Sequence, residues 1–292
     1  MNNSTNNNEN LSEKVYGHYI QQAELFGYSW ESTMHDRIIR ETEINSLIKV
    51  ITYLLSSPPK GKKSLRILEV GCGNGYVSAR LSCEFPNLVI DAFDINTELI
   101  LAANHRKLPN CTFKVGDITD SVIDKELSND YDLIFTVRCV INIEDPSDQL
   151  KSIEKMSSKL AVNGVLALLE GFINGQDKYN VMRNLLNFNT ISPAWHNWYL
   201  DKDKVDATLA KSGLLGLSNP IETVGVNPHH LSSHYLATRV LQPFVHQDPN
   251  HYMVHRNDDI GQAISHFLPA SEYFSPLQIN LWIRQIPTQL NN

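Results

Sequence analysis

Residues 65–75, Leu-Arg-Ile-Leu-Glu-Val-Gly-Cys-Gly-Asn-Gly, set an apolar run directly against glycines at alternate positions. The run reads as a buried strand and residues 76–84 as a helix, so the glycines occupy a tight strand-to-helix turn. Lacking Cβ atoms, such a turn lets the backbone approach a ligand and take dihedrals closed to other residues. The free N–H groups at the start of the following helix favour an anionic ligand group such as a carboxylate.

The same grammar repeats along the chain. Residues 88–93, 111–115, 131–137 and 165–170 read as further buried strands, with helices over 97–107 and 146–160. Asp145 is placed to cap the last of these helices, with Pro146 at its first position. Strand–helix alternation at this spacing predicts a doubly wound α/β fold, its sheet mostly parallel and covered on both faces. Ahead of it, residues 15–28 and 32–55 read as helices. In the second, Ile44, Leu47, Ile48, Ile51, Leu54 and Leu55 form one apolar stripe, which ends at Pro58-Pro59. The last third is less regular. Helices are expected over 179–189 and 202–211, a strand within 214–224, and either type over 231–245. Leu277, Ile279, Leu281 and Ile283 alternate, which predicts a final half-buried strand. The expected organisation is a disordered leader (1–12), an N-terminal helical lid (13–60), a ligand-binding core (61–175), and an insertion with C-terminal strands of the same domain (176–292).

Composition narrows the functional classes. The net charge is −7, and Lys60, Lys62 and Lys63, the densest basic group, sit in a Pro/Gly turn. No basic face for a polyphosphate backbone is expected, which disfavours nucleic acid as a partner. Cys72, Cys83, Cys111 and Cys139 show neither C-x-x-C pairing nor zinc spacing, as expected of reduced thiols in a cytoplasmic protein. The start, MNNSTNNNEN, lacks the basic and apolar regions of a signal peptide, and no apolar stretch approaches the roughly 20 residues of a membrane span. No membrane association is expected. His229, His230, His234, His246, His251, His255 and His266 enrich the C-terminal third but match no metal-ligand spacing, so no metal is expected.

A G-x-G turn also serves dinucleotides, yet the third glycine of that fingerprint would fall at Tyr76. Glu69, two residues before the first glycine, can receive the ammonium of an amino-acid ligand, whereas a pyrophosphate has no use for a carboxylate there. Asp94 ends the second strand, where it can accept both hydroxyls of a ribose or simply cap the next helix. Asp117 can accept an adenine amino group while Ile118 packs on the ring; Gly-Asp is also a common turn.

Taken in order, LEVGCGNG, Asp94, GDI at 116–118, YDLIF at 131–135 and NGVLALLE at 163–170 resemble the class I S-adenosylmethionine-dependent methyltransferase family. The resemblance covers residues 64–171 and implies a Rossmann-like fold with S-adenosyl-L-methionine as cofactor. It places Glu69, Gly71, Gly73 and Gly75 at the methionine end. Asp94, with Ile95 beside it, falls at the ribose, and Asp117 and Ile118 at the adenine. By the same resemblance Val137 and Arg138 would face the sulfonium region. The N-terminal segment, with Tyr16, Tyr28, Met34, Arg37 and Arg40, resembles the helical lid placed before the first strand in this class.

The acceptor is less legible. Trp195, Trp198 and Tyr199 surround His196 and Asn197, offering an apolar wall with polar tips. His196 is the candidate general base, and a hydrogen-bonded structural histidine is the alternative. With Arg138-Cys139-Val140-Ile141-Asn142, this stretch resembles bacterial methyltransferases of surface-polysaccharide and secondary-metabolite pathways, which implies a hydroxyl or amine of a small molecule as acceptor. An NAD-dependent oxidoreductase and a non-catalytic nucleoside-binding protein are the rival readings, and the oligomeric state stays open.

Overall fold

The computed structural model describes residues 11–56, 64–250 and 274–285. The leader expected over 1–12 lies outside these for residues 1–10, as do His251, His255 and His266. Seven strands make one sheet: Arg66–Val70 (β1), Val89–Asp94 (β2), Cys111–Val115 (β3), Tyr131–Val137 (β4), Leu160–Gly171 (β5), Leu214–Gly216 (β6) and Leu277–Arg284 (β7). Their order is β3-β2-β1-β4-β5-β7-β6. The first five pair in parallel; β7 runs antiparallel between β5 and β6. This is the doubly wound, mostly parallel arrangement read from the sequence.

Side chains of successive strand residues point to opposite faces, so a strand apolar at every position needs cover on both. Leu68, Val70, Ile134 and Leu168 pack on Ile153 and Met156 of the helix Pro146–Ser158. On the other face Ile67, Phe135 and Leu169 meet Ile44, Leu47 and Ile51 of the long helix Arg37–Ser56 and Leu81 of the helix Tyr76–Glu84. The stripe on Arg37–Ser56 therefore covers the sheet itself, while Leu55 is left exposed.

Helices are numbered α1 (Leu11–Phe26), α2 (Arg37–Ser56), α3 (Tyr76–Glu84), α4 (Thr97–His105), α5 (Pro146–Ser158), α6 (Ile173–Leu185), α7 (Lys202–Lys211) and α8 (Pro220–Val224). Residues Ser232–Leu236 (α9), a π turn at Ala237–Leu241 and Gln242–His246 (α10) follow. Four sequence expectations shift. α2 starts at Arg37, because Asp36 Oδ1 accepts the N–H groups of Ile38 and Ile39 at 3.1 and 3.2 Å. A separate 3₁₀ turn occupies Trp30–Ser32. The strand sought within 214–224 shrinks to β6, since Asn219 caps α8 with Pro220 in its first turn. The helix sought over 179–189 is α6, placed earlier. β7 is buried along most of its length, Gln278 and Asn280 included, because it is interior to the sheet. Among the described residues no helix is long and apolar enough to cross a membrane.

Trp282 of β7 is buried, and its Nε1–H donates to Asp206 Oδ1 of α7 at 2.9 Å. Trp282→Ala should lower stability by about 3–5 kcal/mol, read as a lower urea midpoint. An unchanged midpoint would show that the seam between β7 and α7 carries no stability.

Candidate functional site

The strand order reverses between β1 and β4, and the crevice outside their carboxyl ends is where open α/β sheets bind ligands. A cavity of about 430 Å³ lies there. Glu69, Gly71 and Gly73 line it at the end of β1; Asp94 and Ile95 at the end of β2; Asp117 and Ile118 after β3; Val137 and Arg138 at the end of β4. The fold thus brings nine of the residues singled out for the cofactor around one space. Gly75 and His196 are not in its lining.

The turn has physical reasons for two of its glycines. Gly71 has φ +75°, and a Cβ there would lie 2.4 Å from Cys139 Sγ, so glycine lets the ends of β1 and β4 close on each other. Gly75, also left-handed, caps α3, and its missing Cβ leaves room for the Phe113 ring and Ala103. Its role here is packing against β3 and α4, which accounts for its place behind the cavity wall. Asn74, buried, turns outward: its Nδ2 donates to the carbonyls of Gly27 and Ser29 at 2.7 and 2.9 Å. Arg106 donates to the carbonyls of Asn74 and Tyr28. The segment after α1 is thereby tied to the glycine turn, and Val15, Tyr16 and Tyr19 of α1 join the cavity wall. Tyr28 is exposed and Met34 packs in a separate apolar cluster, so of the expected lid residues only Tyr16 and Arg40 line the cavity.

Carboxylates dominate the electrostatics. Asp94 accepts the Gly73 N–H on Oδ2 at 2.8 Å and the Asn96 N–H on Oδ1 at 2.9 Å. Burial pushes its pKa up, opposed by these two bonds. Glu69 is buried and accepts from Ser78 Oγ. Burial pushes its pKa to about 8, with the Ser78 bond and Arg40 pulling the other way. Arg40 itself is pushed down to about 10 by burial and by Arg138. Its Nη2 donates to Thr33 Oγ1 at 2.6 Å and to the Trp30 carbonyl at 3.2 Å.

Arg138 sits at φ +53°, a conformation that costs a non-glycine residue about 1–3 kcal/mol and persists only where its surroundings impose it. Its guanidinium donates to both carboxylate oxygens of Glu43, and the pair is nearly buried, at 10% and 3% side-chain exposure. Burial works to lower the Arg138 pKa; the Glu43 carboxylate outweighs it. Just beyond, Glu170 accepts the N–H groups of Cys139, Val140 and Ile141 and so holds the 3₁₀ turn that presents Asn142. Asn142 Nδ2 donates to the Arg138 carbonyl at 2.9 Å and to Tyr19 Oη at 3.0 Å.

His196 lies off the cavity. Its ring stacks on His18 of α1, centroids 4.8 Å apart, with Trp195 edge-on. Burial, then His18, pushes its pKa to about 4, which suits neither a base at neutral pH nor a proton carrier. It joins α1 to the aromatic loop, and from that loop it is Trp198 that reaches the cavity. His234, in the C-terminal segment, is buried against Asp36 at 2.7 Å.

Three buried polar atoms among the cavity-lining residues have no hydrogen-bond partner: Arg40 Nε, Asn96 Nδ2 and Asn142 Oδ1. Such atoms cost about 1–3 kcal/mol each and call for an explanation. Tyr19, Thr33, Asn96 and Glu43 carry no sequence motif. The one local signal is Asn96, whose Oδ1 caps α4 and accepts the Leu99 N–H at 3.0 Å.

Comparison with known proteins gives a consistent picture. Residues 61–209 match the model of a family described as "Methyltransferase domain". A malonyl-[acyl-carrier protein] O-methyltransferase of Ilyobacter polytropus is 34% identical over 108 residues, 36% of this chain and 38% of the relative. The Bacillus cytotoxicus protein of that name is 32% identical over 122 residues, 40% of each chain. The chain thus spans about two fifths of the length of these curated relatives. Among solved structures, magnesium protoporphyrin IX methyltransferase of Synechocystis PCC 6803 with bound SAM superposes with a TM-score of 0.54 at 12% identity, over 96% of this chain and 100% of that one. At that identity the likeness speaks for the fold.

The raised Glu69 pKa has a consequence for stability. The folded state favours the protonated acid, so its contribution is full below the ordinary value near 4.5 and is lost as pH rises through about 8. Glu69→Gln should flatten the fall in melting temperature across that window and leave stability below pH 4.5 little changed. Parallel wild-type and variant curves would show that Glu69 ionises freely.

Proposed function

The chain belongs to the methyltransferase-domain family, and on that premise we propose that it transfers the methyl group of S-adenosylmethionine to a hydroxyl or amine of a small molecule, of sugar or natural-product type. The single observation that carries this reading is the complementarity of one cavity to every polar part of that cofactor.

The residues fit it piece by piece. Arg40, a cation lining the cavity and steadied by its bond to Thr33, suits the methionyl carboxylate. Glu69 suits the ammonium. Asp94 retains lone pairs on both oxygens beyond its two backbone bonds, which suit the ribose diol. Asp117, Ile118 and Ile95 suit the adenine, although Asp117 Oδ1 already accepts from the N–H and Oγ1 of Thr119 at 2.8 Å. Val137 and Arg138 line the approach to the sulfonium.

When bound, the sulfonium supplies an electrophilic methyl carbon: the acceptor's lone pair takes it, the carbon–sulfur electron pair returns to sulfur, and the acceptor's proton is lost. The chain has to align the acceptor and keep water out. Tyr19 and Trp198 wall the space beyond Asn142. A neutral amine needs no base; a hydroxyl would pass its proton toward the mouth, where Glu144, Asp145 and Asp148 line the cavity. The names of the curated relatives support an oxygen acceptor and leave room for one carried on a protein.

Calorimetric titration tests the reading. S-Adenosylmethionine and S-adenosylhomocysteine should bind, and NAD should not. At pH 7 binding should release roughly one proton as the ligand's ammonium draws Glu69 into its ionised form, seen as a dependence of the heat on buffer ionisation. Asp94→Ala should weaken binding by about 1.5–3 kcal/mol. Binding of NAD alone would overturn the reading in favour of an oxidoreductase. Tight binding without turnover on any acceptor would leave a nucleoside-binding scaffold.

A further inference from the structure

We propose that the open edge of the Arg138 guanidinium seats a carboxylate of the acceptor, so that the molecule methylated is an anion. The inference rests on the methyltransferase reading above and deepens it by naming a group the acceptor must carry.

A guanidinium carries N–H donors on all of its nitrogens, in one plane. Arg138 spends one nitrogen, Nη1, on both carboxylate oxygens of Glu43. Nε and Nη2 have no partner among the described residues. Unlike Arg40 Nε, neither is a sealed atom; each keeps accessible surface. Arg138 lines the cavity, and its side chain is 10% exposed, so the small surface it retains opens on that space. The Nε–Nη2 side is a fork that meets the two oxygens of a carboxylate in parallel bonds.

The fork is fixed before any ligand arrives. Glu43 holds the tip of the side chain, and at the other end the Arg138 carbonyl accepts Asn142 Nδ2 at 2.9 Å. Its backbone at φ +53° is held in the same way, so a carboxylate that docks there has little side-chain ordering to impose. A second donor stands by: Tyr19 lines the cavity, and its Oη already accepts from Asn142 at 3.0 Å, which leaves its hydrogen to give. A hydroxyl would match only part of this set, and an ammonium would bring cation to cation. Carboxylates do line the mouth, but Glu144 and Asp145 are exposed and Asp148 pairs with Lys151 at 2.9 Å, so water, salt and that lysine weaken their repulsion. The nearly buried guanidinium is screened far less.

The test uses the full-length protein saturated with S-adenosylhomocysteine, whose own carboxylate the reading above gives to Arg40. Three probes of one shape, benzoate, benzyl alcohol and benzylamine, are titrated by ligand-observed NMR. Benzoate should bind at least about tenfold more tightly than the other two, the factor one hydrogen bond to a charged group is worth. Glu43→Gln keeps the arginine and removes the charge that offsets it, so benzoate should bind several-fold more tightly while the alcohol is unchanged. The paired variant Glu43→Gln with Arg138→Gln removes both charges and leaves no uncompensated carboxylate; benzoate should fall to the affinity of the alcohol. Arg138→Lys, which keeps the charge and loses the fork, should lose most of the preference. A merely structural ion pair would weaken all three probes together. Benzoate binding no better than the alcohol, weaker benzoate binding in Glu43→Gln, or a preference that survives in the paired variant overturns the proposal. So does loss of S-adenosylhomocysteine affinity in step with benzoate, which would give the fork to the cofactor. Failure of the wild-type protein to bind S-adenosylhomocysteine would instead overturn the methyltransferase reading beneath it.

Discussion

The carboxylate of Asp94 accepts one backbone N–H from the turn after β1 and another from the start of the loop into α4, so a single side chain fixes two loops at the ends of neighbouring strands. The turn is pinned a second time, where the N–H groups of Gly71 and Cys72 both donate to the carbonyl of Phe93. With Gly71 closed against Cys139, the ends of β1, β2 and β4 hold a common geometry. The cavity is the space these three ends enclose, and its floor cannot shift without breaking bonds to buried partners. The same turn carries Asn74, which anchors the backbone between α1 and α2. Floor and roof therefore share one foundation.

Charge inside the site is held at a cost. Burying ionised groups is unfavourable unless partners compensate them, and breaking such a pair costs more than the pair contributes. Glu43 and Arg138 compensate each other. Arg40 is only partly satisfied by Thr33 and a carbonyl, and Glu69 escapes the penalty by holding its proton. A ligand carrying both an ammonium and a carboxylate would satisfy these two at once. The free protein is in this sense poised for a zwitterion.

The C-terminal segment serves the site from a distance. His234 and Arg239, from α9 and the π turn, converge on Asp36, the cap of α2, and His230 Nδ1 lies 2.7 Å from Ser46 Oγ farther along that helix. Arg40 and Glu43 stand between those two contacts in sequence. His230 and His234 thus hold the helix that carries Arg40 to the cavity and Glu43 to its partner Arg138. Their burial lowers the pKa of His230 and His234, in keeping with neutral, structural side chains.

What the amino-acid sequence determined by itself is whatever depends on neighbours along the chain. Buried strands announce themselves as short apolar runs, helix starts as Asp145-Pro146, and the ligand turn as glycines after a strand. From these the parallel core could be read; of the nine cavity-lining positions from Glu69 to Arg138, Ile95, Val137 and Arg138 came from the family resemblance. The tertiary structure alone decided the rest. Arg40, Asn96, Tyr19 and Asn142 come from separate elements and acquire meaning only when folding removes their remaining partners or supplies new ones. His196 shows the converse. Its aromatic surroundings in sequence suggested a pocket, but stacking on His18, from the far end of the chain, holds it outside. Local pattern fixes which elements form; which polar atoms end up short of a hydrogen bond depends on packing between distant segments.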